Sequence, residues 1–191
     1  QVKKKKNGKM GKTLKIIGIA VLMLILFRGI VFRLVVKYDE IGNRSRIEIT
    51  NKNLIEEIEK EYKNRRIDLE EISGIADLIT KKKLEFTMNR VSNNPNELIN
   101  TNQANCIGYS AMYNSIANYL IEKESLEDEI EAKHKIGRLE LLGINIHQFF
   151  DNPFFRNHDF NEITNKKTGE KISIDPTVSD YLWIRRISRK K

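Results

Sequence analysis

Asn105-Cys106-Ile107-Gly108-Tyr109-Ser110-Ala111-Met112-Tyr113 is the stretch on which the fold turns, because it holds the chain's only cysteine at what reads as a helix start. Asparagine is a favoured N-cap. Cys106 then takes the first helical position, where unpaired backbone N–H groups and the helix dipole favour negative charge. Such a placement can bring a cysteine from about 8.5 into a reactive range of roughly 3.5 to 7.5. The competing reading is an ordinary buried thiol, since free cysteines mostly behave as small hydrophobes. Downstream, Tyr109, Met112, Tyr113, Ile116, Ala117 and Leu120 recur at helical spacing beside an uncharged polar stripe of Ser110, Asn114 and Asn118. No charge occurs between Asn105 and Ile121, which predicts a helix buried on most sides.

On the C-terminal side, residues 122–135 are dominated by charge and read as a solvated connector that includes His134. Residues 136–142 and 144–150 then mix β-branched and aromatic side chains around Gly143, as in strands with a bend, and His147 reads as structural. Residues 156–164 and 171–175 flank Asn165-Lys166-Lys167-Thr168-Gly169, a turn-rich run of the hairpin kind. A four-residue loop over 165–168 sets Thr164 against Gly169 and His158 directly against Asp175. Their side chains would share a face at about 5 Å between Cβ atoms, unless a bulge at Gly169 shifts the register by one. Tyr181 and Trp183 are expected to close the core.

On the N-terminal side, residues 84–88 read as a strand, and the Asn-dense run 90–103 as an ordered loop delivering the chain to Cys106. Asn53 is read as the cap of a helix carrying Leu54, Ile55, Ile58 and Tyr62 on one face. Asp68 starts a second helix with Leu69, Ile72, Ile75, Ala76 and Ile79 at helical spacing and glutamates in its first turn. Residues 46–50 alternate like a short strand. Residues 16–27 carry no charge, and continuing through Arg28 and Arg33 to Val36 gives 21 residues, about what a helix needs to cross a bilayer. An uncleaved anchor over 16–36 is favoured over a buried core helix and over a signal peptide, because no small-x-small site follows. Arg33 can reach the headgroups from the helix end, and Arg28 is the costlier of the two. The lysine cluster predicts a cytoplasmic N-terminus and a folded domain on the far, periplasmic or extracellular side. The bilayer and other subunits of a membrane complex are then the expected partners. Gly8-Lys9-Met10-Gly11-Lys12-Thr13 ends like a phosphate-binding loop, but position 6 is Lys6 and no strand precedes it.

A chain of 191 residues accommodates one ordinary domain with a short extra segment. Its net charge of +8 is confined to the ends, where the lysines of residues 3–15 and the basic residues of 185–191 stand without an acidic neighbour. The body between them is net acidic. A nucleic-acid binder carries its positive charge on the folded face, so nucleic acid is not expected as a partner. One cysteine excludes an internal disulfide and a multi-cysteine zinc site, and the three histidines form no ligand motif. No metal or cofactor is therefore expected.

The order is Cys at a helix start, His on one strand and Asp on the next, which is what thiol catalysis requires: a sulfur to attack, an imidazole to carry its proton and a carboxylate to hold the ring. Asn105-Cys106-Ile107-Gly108-Tyr109-Ser110-Ala111, Asn157-His158-Asp159-Phe160-Asn161-Glu162-Ile163 and Ile174-Asp175-Pro176-Thr177 resemble, in that order, the three motifs of the transglutaminase-like superfamily of papain-like folds. The departures are Phe160, where many members have tryptophan, and Asp159, where a small residue is usual. The resemblance implies an α+β fold with helices first and an antiparallel sheet after the Cys helix. It also implies Cys106 as nucleophile, His158 as base and Asp175 as orienting acid, acting on an amide of a protein or peptide substrate. The backbone N–H of Cys106 is the natural first oxyanion donor, with the Gln103 side chain a candidate second. The organisation expected is a basic cytoplasmic tail (1–15), a transmembrane anchor (16–36), a helical subdomain (37–83), the transglutaminase-like core (84–184) and a basic tail (185–191). The alternative function is a non-catalytic accessory subunit of the same fold.

Overall fold

The computed structural model describes residues 2–63, 67–152 and 156–190, with side chains from residue 12 onward. The lysines of 3–9 and Lys191, which belong to the expected basic tails, have side chains outside that description. Two helices, α1 (Val2–Leu26) and α2 (Arg28–Val35), lead into strand β1 (Val36–Asn43). Helices α3 (Lys52–Tyr62) and α4 (Leu69–Lys83) follow, then β2 (Glu85–Phe86), α5 (Pro95–Thr101), β3 (Gln103–Ala104) and the central helix α6 (Cys106–Lys123). The chain continues through β4 (Ile130–Leu141), β5 (Ile144–Asn145), a 3-10 turn at Ile146–Phe149, β6 (His158–Asn165), β7 (Lys171–Ile174) and α7 (Pro176–Leu182). The fold is thus α+β, with an antiparallel sheet ordered β1-β4-β6-β7 and β5 paired on the end of β4.

The helix starts follow capping chemistry. Asp68 caps α4 and Asn105 caps α6, and Asn51, two residues earlier than expected, caps α3. Helix α6 buries Tyr109, Met112, Tyr113, Ile116 and Leu120 in one core with Ile72, Ile75 and Ile79 of α4 and Ile163, Ile172 and Ile174 of the sheet. The side chains of a strand alternate between faces, so Tyr38 and Phe160 form a second, smaller cluster with Ile187 on the other face. The C-terminal segment covers that face. Tyr38 N–H donates to Ser188 O and Tyr38 O accepts from Lys190 N–H, both at 2.9 Å, while Arg189 pairs with Glu40 and Glu162. Residues expected as a basic tail therefore lie along β1 and are held by ion pairs.

Several elements differ from the sequence expectation for local reasons. The Asn-dense run contains α5, because Asn94 caps it and Pro95 sits at the first helical position, where a missing N–H costs nothing. The first strand of the sheet is β1 and not residues 46–50, so the sheet takes its edge from the start of the region expected as a helical subdomain, directly after the expected anchor. Strand β4 begins at Ile130, inside the expected connector: its inward positions include Ala132 and His134, which hide the period of two. The expected uninterrupted helix over 16–36 is broken at Phe27, where α1 and α2 meet at 74°. Arg28 stands at the break. Its guanidinium donates to Ile25 O at the end of α1 and to Leu182 O at the end of α7, and lies over the Trp183 ring. Among the described residues no single helix is long and apolar enough to cross a membrane, although the bent pair passes the test jointly by length and composition.

Gly108 marks the tightest approach at the head of α6. A Cβ there would lie 2.9 Å from Ala104 Cβ and 3.2 Å from Leu98 Cδ1. Overpacking of this kind costs about 1–3 kcal/mol. Gly108→Ala is expected to lower the urea unfolding midpoint by a corresponding amount, and adding Ala104→Gly is expected to restore most of it.

Candidate active site

Three residues far apart in sequence meet where α6 begins and β6 and β7 approach one another. Cys106 occupies the first position of α6 and is 8% exposed. The side-chain oxygen of Asn105 accepts from Ile107 N–H at 3.1 Å and Gly108 N–H at 3.2 Å. The cap thereby consumes the second and third amides of the helix and leaves that of Cys106 to an incoming oxyanion. His158 begins β6 opposite Gly137 of β4, and Asp175 follows β7 as the N-cap of α7.

The hairpin register differs from the one expected, and its effect is instructive. Thr164 pairs with Lys171 and Asn161 with Ile174, so that the turn spans 166–169, with Gly169 at φ +75°. This moves the register by two residues, and His158 is therefore not directly across from Asp175. A shift of two preserves the face on which each side chain stands, whereas a shift of one would have reversed it. His158 Nε2 consequently meets Asp175 Oδ2 at 2.6 Å on the diagonal.

Asp175 has both oxygens engaged. Oδ2 also accepts from Tyr38 Oη at 2.7 Å, and Oδ1 accepts from Thr177 N–H at 3.0 Å and Val178 N–H at 3.2 Å. Burial alone would push this carboxyl up. The charge of His158 and the hydrogen bonds from His158, Tyr38 and Val178 outweigh it and hold Asp175 below the usual carboxylate range. Burial likewise works against a charged His158, but the Asp175 charge and hydrogen bond, followed by a hydrogen bond with Cys106, raise it well above its ordinary 6.5. With Nε2 committed to Asp175, Nδ1 is the nitrogen left for the thiol. Cys106 is also within electrostatic reach of Tyr38 and Arg44.

Tyr38 is the functional residue that sequence reasoning missed. Its hydroxyl fixes Asp175, and its ring packs edge-on against His158 and Phe160 at 6.1 and 5.3 Å between centroids. The alternation in Val36-Lys37-Tyr38-Asp39-Glu40 was the available signal, obscured by the apolar run before it. His134, expected in solvent, is buried in β4, where its Nε2 meets Asp159 Oδ2 at 2.7 Å. Arg44 completes this cluster through Asp159, whose carboxyl is lowered by the two partners against its burial. The residue after His158 is thus tied to β4 and to the exit of β1, which steadies the strand that presents the imidazole. Gln103 lies exposed on β3, and among the described residues it makes no hydrogen bond to Cys106, His158 or Asp175. His147 sits in the 3-10 turn. Among the described residues no cluster of three or more His, Cys, Asp or Glu forms a metal site.

An open cleft of about 560 Å³ adjoins the head of α6, lined by Met88, Arg90, Val91, Asn93, Asn105, Ile107 and Asn152. A larger depression of about 620 Å³ lies beside α3 and α4, lined by charged chains including Glu57, Lys82 and Lys83, which already pair with one another. It does not border Cys106. No protein-family model, curated protein or solved structure matches the chain.

The stability contributed by the His158–Asp175 pair is largest while both are charged. The histidine part, present below about 6.5, is lost as pH rises through the elevated native pKa. The aspartate part, present above about 3.9, is lost as pH falls through the depressed native pKa. Tyr38→Phe removes one donor from Asp175 and raises its native pKa. The acid-unfolding midpoint of Tyr38→Phe is expected to move to higher pH than that of the unaltered chain, with a neutral-pH loss of about 1.5–3 kcal/mol in denaturant titration.

Proposed function

We propose that this chain is a papain-like, transglutaminase-like thiol enzyme held at a membrane, which cleaves an amide by way of a thioester on Cys106. The observation that carries the reading is the imidazole of His158: Asp175 holds Nε2 at 2.6 Å, and Cys106, at a capped helix start, lies close enough to favour the protonated ring. An antiparallel sheet whose strands β4, β6 and β7 follow the Cys106 helix, with the three residues in this order, further supports the resemblance, although β1 joins that sheet from before the helix.

The Cys106 thiol first gives its proton to His158 Nδ1, forming the imidazolium that Asp175 supports, and the sulfur then attacks the amide carbonyl carbon. The carbonyl oxygen gains negative charge and takes the backbone N–H of Cys106, the amide that the Asn105 cap leaves unused. As the C–N bond breaks, the imidazolium returns its proton to the leaving amine, and a thioester remains. Water then adds to the thioester carbon and gives a proton to His158, the C–S bond breaks, and the carboxylic acid leaves as the thiol is regenerated. Asp175 acts as a positioning residue that fixes the ring and supports its positive form.

Membrane attachment is supported by residues 14–27, an exposed apolar run in which only Lys15 is charged. His158 pairs with Gly137, and β4 runs only four residues further to Leu141, opposite Val36, where α2 ends. At about 3.3 Å per residue the imidazole stands roughly 13 Å along the sheet from that junction. Leu142, beside Val35, and Trp183, under Arg28, are 74% and 71% exposed at the same end. The reading therefore sets the site close to the lipid headgroups.

Two measurements test these points. Iodoacetamide alkylation of Cys106 followed against pH is expected to be about tenfold faster near pH 7 than in His158→Ala, whereas rates that rise around 8.5 in both would contradict an activated thiol. Trp183 is the chain's only tryptophan, and its emission is expected to shift to the blue with anionic phospholipid vesicles and to be quenched by brominated lipid. An unchanged spectrum would place the domain away from the bilayer.

A further inference from the structure

The cleft beside Cys106 is made of unlike parts with different tasks. Met88, Val91 and Ile107 give it an apolar wall, Met88 and Val91 coming from the loop after β2 and Ile107 from the first turn of α6, next in sequence to Cys106. Met88 is 67% exposed. An uncovered methionine in a concave wall is suited to an aliphatic side chain, because its flexible thioether adapts to the shape it meets. Arg90 lies in the same lining and makes no ion pair among the described residues, unlike the cations of the α3 and α4 surface. Asn93 adds a buried side-chain oxygen that has no hydrogen-bond partner.

Resting on the thiol-enzyme reading above, we infer that this cleft selects the acyl side of the substrate: a peptide segment with an aliphatic side chain against Met88, Val91 and Ile107, and a carboxylate in the adjoining residue paired with Arg90. Asn105 and Ile107 flank Cys106 in sequence, so a chain seated in the cleft brings its carbonyl to the sulfur. The volume of about 560 Å³ exceeds one side chain and accommodates a short segment of two or three residues.

The test uses the full chain in detergent micelles and four dipeptidyl vinyl sulfones that carry Leu or Gly beside the warhead and Glu or Lys in the neighbouring position. The thiol adds across the vinyl group, forming a C–S bond at the β carbon while its proton is transferred to the α carbon. Each rate of Cys106 labelling is divided by the iodoacetamide rate of the same protein, which reports the thiol without a side-chain demand. The Leu–Glu probe is expected to exceed the Gly–Lys probe by about tenfold or more, the ratio that corresponds to roughly 1.4 kcal/mol of discrimination. Arg90→Glu is expected to reverse the Glu-over-Lys ratio, and Val91→Asp to abolish the Leu-over-Gly ratio. Four equal normalised rates, with iodoacetamide labelling still dependent on His158, would overturn the cleft assignment and leave the thiol reading standing. Iodoacetamide labelling indifferent to His158 would remove the reading on which the assignment rests, and the assignment with it.

Discussion

Everything at the candidate site depends on one buried carboxylate. Asp175 is fully enclosed, and it accepts from an imidazole, a phenol and two backbone amides. Enclosing a carboxylate is costly unless its lone pairs are filled, and these four donors come from three different elements. β6 brings His158, β1 brings Tyr38, and α7 brings the amides of its first turn. The sheet edge, the hairpin and the last helix are thereby locked to one another by the group that also orients the ring. Removing the carboxylate would loosen the fold and the imidazole together, which is why Tyr38, at the edge of this network, separates the two effects better than Asp175 itself.

A second network supports the first from the opposite face of β6. Asp159 joins His134 and Arg44, and Asn161 donates to Ser110 O of α6 at 3.1 Å. The strand that begins with His158 is therefore fixed to β4, to the exit of β1 and to the Cys106 helix. Because α6 is itself wedged against α5 and β3 at Gly108, the sulfur and the imidazole are each held by their own framework. Proximity achieved in this way needs no movement when a substrate arrives, and it is worth most when the reacting groups are held before binding.

How much of this could be read from the chain differs by element. The Cys106 helix, its cap and its buried face were legible because Asn105 and a period of 3.6 leave few alternatives. The hairpin carrying His158 and Asp175 was legible as a hairpin, but its register was not, since a loop of 165–168 and a loop of 166–169 look equally good until Gly169 is known to need a positive φ. The face survived the error because the two registers differ by an even number. Strand β1 was hidden by its position directly after an apolar run, and with it Tyr38. His134 and Asp159 were hidden by their polarity: each looks like a surface residue alone and becomes a core residue only with its partner. Buried polar pairs are in general the part of a core that periodicity does not reveal. The contact that Arg28 makes at the break was also out of reach, because its acceptor is Leu182 O, more than 150 residues away.

The central claim is that Asp175 holds His158 protonated and oriented toward Cys106. Nitrogen-detected NMR of the His158 ring, titrated in the unaltered chain and in Asp175→Asn, tests it most directly. The account predicts that the ring stays protonated through neutral pH in the unaltered chain, titrating well above 6.5, and that the substitution lowers its titration clearly, because Cys106 alone is then left to oppose burial. A ring that titrates near 6.5 in both proteins would contradict it.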